Sequence, residues 1–236
     1  AHAALLAKKQ ILLPPNRVRE LEQQFAAQQI YFLKRQNTEK VVPLSFTLDD
    51  AFLEQAQLYF YTSGSTGEPK KIPRTLRQLL NEVQGLSQSF TFDEHAIAIA
   101  TVSHQHIYGL LFKLLLPLAT GRSFYVPQMA FPEDVVQAQK QLETLGLSNY
   151  LISSPALLKR WTTEVVLQHC QMVFSSGGKL ESGVRPFLNR PIIEVLGSSE
   201  TGGIAHRAKD DDTWTAFSNV AIRIEDQQLI VKSNHA

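Results

Sequence analysis

Apolar residues recur along the chain in two periods, and the periods alternate. Asn16 offers a cap for a helix reaching about Gln28, with Val18, Leu21 and Phe25 on one face. Tyr31-Phe32-Leu33 and Val41–Phe46 read as short strands, and Leu58–Tyr61 as an aromatic strand ending at Thr62. Thr75 caps a second helical pattern carrying Leu76, Leu79, Leu80, Val83 and Leu86. Ala96–Thr101 is a continuous apolar run of strand length. Ile107–Leu118 predicts an apolar helix stopped at Gly121. A strand over Phe124–Val126 precedes a helix that starts at Pro132 and runs to about Leu145, with Gly146 past its end. Tyr150–Ser153, Met172–Ser175 and Ile192–Leu196 complete the strands. Ser154-Pro155 begins a short helix around Leu157.

Strands alternating with helices predict an α/β fold, a mostly parallel sheet flanked by helices. The rhythm breaks near residue 202. Gly203–Arg207, Thr213–Phe217, Val220–Ile224 and Gln228–Lys232 are short strands joined by turns. They predict a β-rich, antiparallel or barrel-like C-terminal segment. The division expected is an α/β lobe over 1–202 and the start of a β-rich subdomain over 203–236.

The 236 residues fit one large domain or two small ones. With 23 Lys+Arg against 22 Asp+Glu, charge supplies no reason to expect a nucleic-acid or membrane-surface partner. No apolar run reaches the roughly 20 residues of a membrane span. A lone cysteine, Cys170, cannot build a disulfide framework, and a reducing, cytoplasmic setting is expected.

In a parallel sheet, ligands bind beyond the carboxyl ends of the strands. Five of the predicted strands run into small hydroxyl, Gly or His clusters. These are Thr62–Gly67, Thr101–His106, Ser153-Ser154, Ser175–Gly178 and Leu196–Thr201. Turn chemistry alone explains Ser and Gly in any single loop. Five clusters on one edge point to a shared cleft. The first, Thr62 to Lys70, reads TSGSTGEPK. Its glycines let the backbone approach an anion, and its hydroxyls and N–H groups can wrap phosphate oxygens. Its spacing is not that of the G-x-x-x-x-G-K-[ST] phosphate loop. Two other chemistries fit poorly. His104 and His106, two apart with no Cys or carboxylate beside them, make a poor zinc site. No Gly-x-Ser-x-Gly is present for Ser-His-Asp hydrolysis. Trp161 and Trp214 read as core or cleft-edge aromatics.

TSGSTGEPK resembles the phosphate-binding signature of the adenylate-forming enzymes, which include acyl-CoA synthetases, peptide-synthetase adenylation domains and luciferases. Further segments follow in that family's order. Ser103-His104-Gln105-His106-Ile107-Tyr108-Gly109-Leu110 is similar to its His-aromatic-Gly segment at the acyl pocket. Ser175-Ser176-Gly177-Gly178-Lys179-Leu180 is similar to its adenine-flanking loop. Val195-Leu196-Gly197-Ser198-Ser199-Glu200-Thr201 is similar to its Tyr-Gly-x-Thr-Glu motif. The likeness covers Leu58 to about Lys232 and is weak before that, where Leu12–Asn16 fits the region preceding the phosphate loop.

The resemblance implies ATP-dependent activation of a carboxylic acid to an acyl-adenylate, then transfer to a thiol of CoA or of an acyl carrier protein's phosphopantetheine. It implies that Thr62, Ser63, Gly64, Ser65, Thr66, Gly67 and Lys70 hold the outer phosphates. Ser199 would bond the α-phosphate, and Glu200 would hold Mg²⁺, although a solvated loop acid is the ordinary fate of a Glu. Gly177, Gly178 and Lys179, with Leu196 and Gly197, would meet adenine. His106 is assigned to the acyl pocket, with His104 its rival and a packed or solvated loop His the plainer alternative. Gly202 and Gly203 would leave space for a long or aromatic tail. Leu196 stands where the family usually has Tyr, and losing a stacked ring weakens ATP binding by roughly 0.5–1.5 kcal/mol. The family's Thr-Gly-Asp motif and catalytic-Lys domain are not among these residues, so these residues alone are expected to turn over weakly if at all. A non-catalytic nucleotide-binding or regulatory module and a carrier-protein docking module are the rival readings.

Overall fold

The computed structural model describes residues 11–13, 49–63, 69–162, 165–209 and 213–236. The helix expected from Asn16 and the strands expected at Tyr31–Leu33 and Val41–Phe46 lie outside them.

Among the described residues, three sheets carry the fold. The three-stranded sheet begins with β1 (Ile11–Leu13), which runs parallel to β2 (Gln57–Ser63). Helix α1 (Asp50–Gln55) precedes β2, capped by the Asp49 carboxylate, which accepts from the Phe52 N–H at 2.7 Å. β2 pairs antiparallel with β3 (Pro69–Thr75), Thr62 opposite Lys70. The alternation rule passes over β3 for a physical reason. Its inward positions are Ile72 and Arg74, and a buried arginine breaks the apolar pattern. Pro73 is tolerated because β3 is an edge strand. Helix α2 (Leu76–Ser89) follows with the cap its sequence predicts. Thr75 Oγ1 accepts from the Gln78 N–H, and the Gln78 side chain accepts from the Thr75 N–H.

The large sheet has seven strands. Its parallel part comprises β4 (Ile97–Ala100), β5 (Phe124–Gln128), β6 (Asn149–Ser153), β7 (Cys170–Ser175) and β8 (Ile192–Ser198). Antiparallel β9 (Gly202–Arg207) and β10 (Thr215–Ala216) extend it beyond β8. Side chains alternate across it. Ala98, Tyr150, Ile152, Phe174 and Val195 pack toward α2, while Ile99, Leu151, Val173 and Ile192 pack on the opposite face. β11 (Val220–Glu225) and β12 (Gln228–Ser233) form a separate hairpin. The strands after Gly202 are thus antiparallel, as expected, with the first two continuing the main sheet.

The apolar helix between β4 and β5 is built in three pieces: α3 (Ile107–Gly109), a π-helical turn over Leu110–Leu115, and α4 (Leu116–Ala119). The sequence pattern predicts a single helix. Pro117 supplies no N–H to the preceding turn and its ring would crowd the Lys113 carbonyl, and a wider turn relieves both. Helix α5 (Pro132–Glu143), α6 (Pro155–Leu158) and α7 (Val184–Leu188) cover the far face. The chain leaves α4 and α5 through Gly121 and Gly146, both with φ near +70°, the left-handed backbone that ends helices there. No helix among the described residues is long and apolar enough to cross a membrane.

Candidate active site

A cavity of about 310 Å³ opens at the carboxyl ends of the parallel strands. Four of the five polar clusters reach it: Val102 and His106 after β4, Ser154 after β6, Ser176 and Gly177 after β7, and Gly197–Ser199 at the end of β8. The remaining wall is mostly apolar, from Ile107, Tyr108, Leu111, Phe112 and Val195, with Glu82, Gly202 and Gly203 completing it. The π-helical turn thereby presents Leu111 and Phe112 to the cavity. Gly109 allows that approach: a Cβ there would collide with the Ser103 carbonyl.

The loop from β8 to β9 is built on itself. Ser198 Oγ accepts from the Glu200 N–H at 3.2 Å and the Thr201 N–H at 3.1 Å, while Thr201 Oγ1 accepts from the Ser198 N–H at 3.2 Å. Arg74 ties the loop down from β3, donating through Nη1 to the Glu200 carbonyl at 2.9 Å. Gly197 lies against the Gly202 carbonyl so closely that no side chain fits. Gly202 itself has φ +67°.

Across 130 residues of sequence, Lys70 Nζ meets Glu200 Oε1 at 3.1 Å. The lysine hydrogen bond is the main cause holding the Glu200 carboxyl below its ordinary value, against a smaller opposing effect of burial. Glu200 therefore stays ionised near neutrality. A half-exposed hard oxygen donor fits Mg²⁺, which takes one or two protein carboxylates. Among the described residues no cluster of three His, Cys, Asp or Glu forms an alternative metal cage.

The other expected residues fall as follows. Thr62 lies next to last in β2; Gly64, Ser65, Thr66 and Gly67, and the Ser63 side chain, lie outside the described residues. Gly177 lines the cavity with φ +87°, whereas Gly178 and Lys179 are exposed beside it. Ser176 Oγ donates to the Val195 carbonyl at 2.8 Å, fixing that loop to β8. Leu196 is exposed on β8 rather than in the cavity wall. Ser199, His106 and Gly202 all line the cavity, whereas His104 is exposed outside its lining. Trp161 is buried in the far-face core, its Nε1 donating to the Val165 carbonyl at 2.7 Å, and Trp214 lies beneath the Arg207 guanidinium.

Two residues absent from the sequence expectation stand behind the site. Arg74 and Glu82 are both buried, 3.6 Å apart, and Glu82 Oε1 accepts from the Gly203 N–H at 2.6 Å. Arg74 also donates to the His235 carbonyl, and His235 Nε2 bonds the Gly203 carbonyl at 3.1 Å. The end of the chain is thus fastened under the Glu200 loop. A signal existed in the sequence: Glu82 sits at i+3 of the Leu79–Val83–Leu86 stripe, where a core-facing helix carries an apolar residue.

A mostly parallel sheet thus carries a strand-end cavity, with the Lys70–Glu200 pair beside it. The profile of the AMP-binding enzyme family matches residues 11–235, and the chain belongs to that family. The 4-coumarate–CoA ligase of Rhodobacter capsulatus is 30% identical over 176 residues, covering 72% of this chain and 44% of the ligase. The adenylate-forming reductase Nps11 of Serpula lacrymans is 24% identical over 75% of this chain and 19% of its own length. Among solved structures, apo MatB from Rhodopseudomonas palustris superposes with a TM-score of 0.65 at 19% identity, covering 81% of this chain and 42% of MatB. The Bacillus subtilis o-succinylbenzoate coenzyme A synthetase, solved with AMP, gives 0.65 at 18% identity over 75% of this chain and 40% of its own. These likenesses show the fold. The chain spans less than half the length of these relatives.

Proposed function

We propose that the protein carrying these residues activates a carboxylic acid with ATP, giving an acyl-adenylate and pyrophosphate, and passes the acyl group to the thiol of CoA or of an acyl carrier protein's pantetheine. The observation that carries this reading is the meeting of Lys70 with Glu200 beside an apolar cavity. A positive group from the phosphate-loop strand and an ionised carboxylate from the β8–β9 loop stand together where a nucleotide's phosphates would meet an acid.

In the reaction a carboxylate oxygen attacks the α-phosphorus. The bond from that phosphorus to the bridging oxygen breaks, and pyrophosphate leaves with the electron pair. The thiolate then attacks the acyl carbon and AMP departs. Little covalent work falls to the protein, so its residues position groups and stabilise charge. Ser63, Gly64, Ser65, Thr66, Gly67 and Lys70 hold the outer phosphates. Ser199 bonds the α-phosphate. Glu200 holds Mg²⁺, which supplies charge neutralisation on the leaving pyrophosphate. Gly177, Gly178, Lys179, Leu196 and Gly197 receive the adenine. His106 and Gly202, with the apolar wall, receive the acyl body. The Arg74 bond to the Glu200 carbonyl keeps this loop in place while charge develops.

The test is ATP–pyrophosphate exchange across a panel of carboxylates. Exchange that requires an acid supports activation. ATP binding without acid-dependent exchange instead favours a regulatory nucleotide-binding module. Loading of CoA but not a carrier protein, or the reverse, assigns the acceptor.

A further inference from the structure

Helix α2 turns one stripe toward the sheet, and Glu82 lies within it between Leu79 and Val83. A carboxylate on an apolar face is costly unless each oxygen finds a partner. Glu82 is 3% exposed. Its Oε1 is satisfied by the Gly203 N–H at 2.6 Å. Its Oε2 accepts no hydrogen bond. The Arg74 Nη2 stands 3.6 Å from that oxygen, close enough to balance its charge and too far to bond it. Glu82 is the one carboxylate among the described residues lining the cavity, and its neighbours there include Ile107, Leu111, Phe112 and Val195.

Charge and hydrogen bonding therefore part company at this oxygen. Arg74 already matches the negative charge, so a ligand ammonium would bring a second positive charge into a buried site. What remains unmet is a lone pair, which calls for a neutral donor. We propose that Glu82 is a specificity-determining residue, its Oε2 accepting a hydrogen bond from a hydroxyl group carried on the apolar body of the acid. The inference rests on the reading that the acid fills this cavity. An acid with the hydroxyl supplies the donor that Oε2 lacks in the free protein, whereas its parent leaves that oxygen as it was. That bond is worth roughly ten- to a hundredfold in affinity over the parent acid. Burial has already pushed the Glu82 carboxyl up to about 7, and the Gly203 N–H and Arg74 only partly oppose it, as expected for an under-partnered carboxylate.

The test is calorimetric binding of acids in matched pairs, aryl and alkyl, differing by one hydroxyl, each with its methyl ether as a third member. The hydroxy acid of at least one pair should bind at least tenfold more tightly than its parent, and the ether should fall back to the parent. In Glu82→Gln the amide oxygen can keep the Gly203 bond and turn a donor toward the cavity, so the preference should vanish or invert. Glu82→Leu should favour the parent acid. Should either variant fail to fold by circular dichroism, the wild-type comparison of hydroxyl with ether still decides. Equal binding of hydroxy acid, ether and parent throughout overturns the proposal. So do a preference for amino over hydroxy acids, an unchanged preference in Glu82→Gln, and no binding by any member. Hydroxyl-dependent binding without pyrophosphate exchange overturns the activation reading and leaves this one standing. Exchange with hydroxyl-indifferent binding does the reverse.

Discussion

Replacing Arg74 by Met removes the guanidinium and keeps much of the side-chain bulk. Three interactions go: the bonds to the Glu200 and His235 carbonyls and the ion pair with Glu82. Charge-assisted bonds are worth about 1.5–3 kcal/mol each, so the two to carbonyls set a loss of at least about 3 kcal/mol at any pH. The ion-pair part depends on pH, and its sign is fixed by Glu82. That carboxyl is raised from 4.5 to about 7, chiefly by burial. Folding therefore takes up a proton between those values, and wild-type stability falls as pH rises through that window, then levels off above it. Without Arg74 the Glu82 carboxyl climbs further, and the fall continues past pH 7 at about 1.4 kcal/mol per pH unit. Between pH 7 and pH 8.5 this adds about 2 kcal/mol, for a total near the upper end of the 3–5 kcal/mol seen when one partner of a buried pair is removed. His235, whose ring value burial lowers first and Arg74 lowers further, shifts the difference in the same direction. Urea unfolding of wild type and Arg74→Met at pH 5.5 and pH 8.5 measures it. A difference independent of pH, or a variant as stable as wild type, refutes the reasoning.

Other consequences follow from single contacts. Lys70→Ala should lower ATP affinity in a direct binding assay while changing stability by less than about 1 kcal/mol, because the Lys70–Glu200 pair is solvent-exposed. Gly109→Ala drives a methyl group into the Ser103 carbonyl and should destabilise by about 3 kcal/mol or more in denaturant unfolding, displacing the helix that carries Leu111 and Phe112. Thr75→Ala breaks the capping box of α2 and should cost about 1 kcal/mol by the same assay, without changing the pH dependence assigned to Glu82.

The alternation of strands and helices was legible because each parallel strand of the large sheet has apolar residues facing both ways. Ala98 and Ile99, or Phe174 and Val173, pack on opposite faces. The clustering of polar strand ends at one cavity was legible for the same topological reason. What escaped were charged residues doing buried work. Arg74 disguises β3 because its side chain is inward and its partners lie 126 and 161 residues away. Glu82 reads as an ordinary helical acid until Gly203, brought beside it by β9, shows what its carboxylate holds. The π-helical turn was hidden because Leu110–Leu115 carries the same apolar residues either winding would need. Short α7 has too few residues for a periodic stripe. Asp49, by contrast, was an available cap signal for α1.

The chemistry itself can be followed by one atom. Carboxylate activation requires an oxygen of the acid to become bonded to the α-phosphorus, and release of the acyl group leaves that oxygen behind. The protein, supplied with ATP, Mg²⁺, a thiol acceptor and an acid bearing oxygen-18 in its carboxylate, should yield AMP carrying one labelled oxygen by mass spectrometry. ATP consumed with the label retained entirely in the acid would contradict the account.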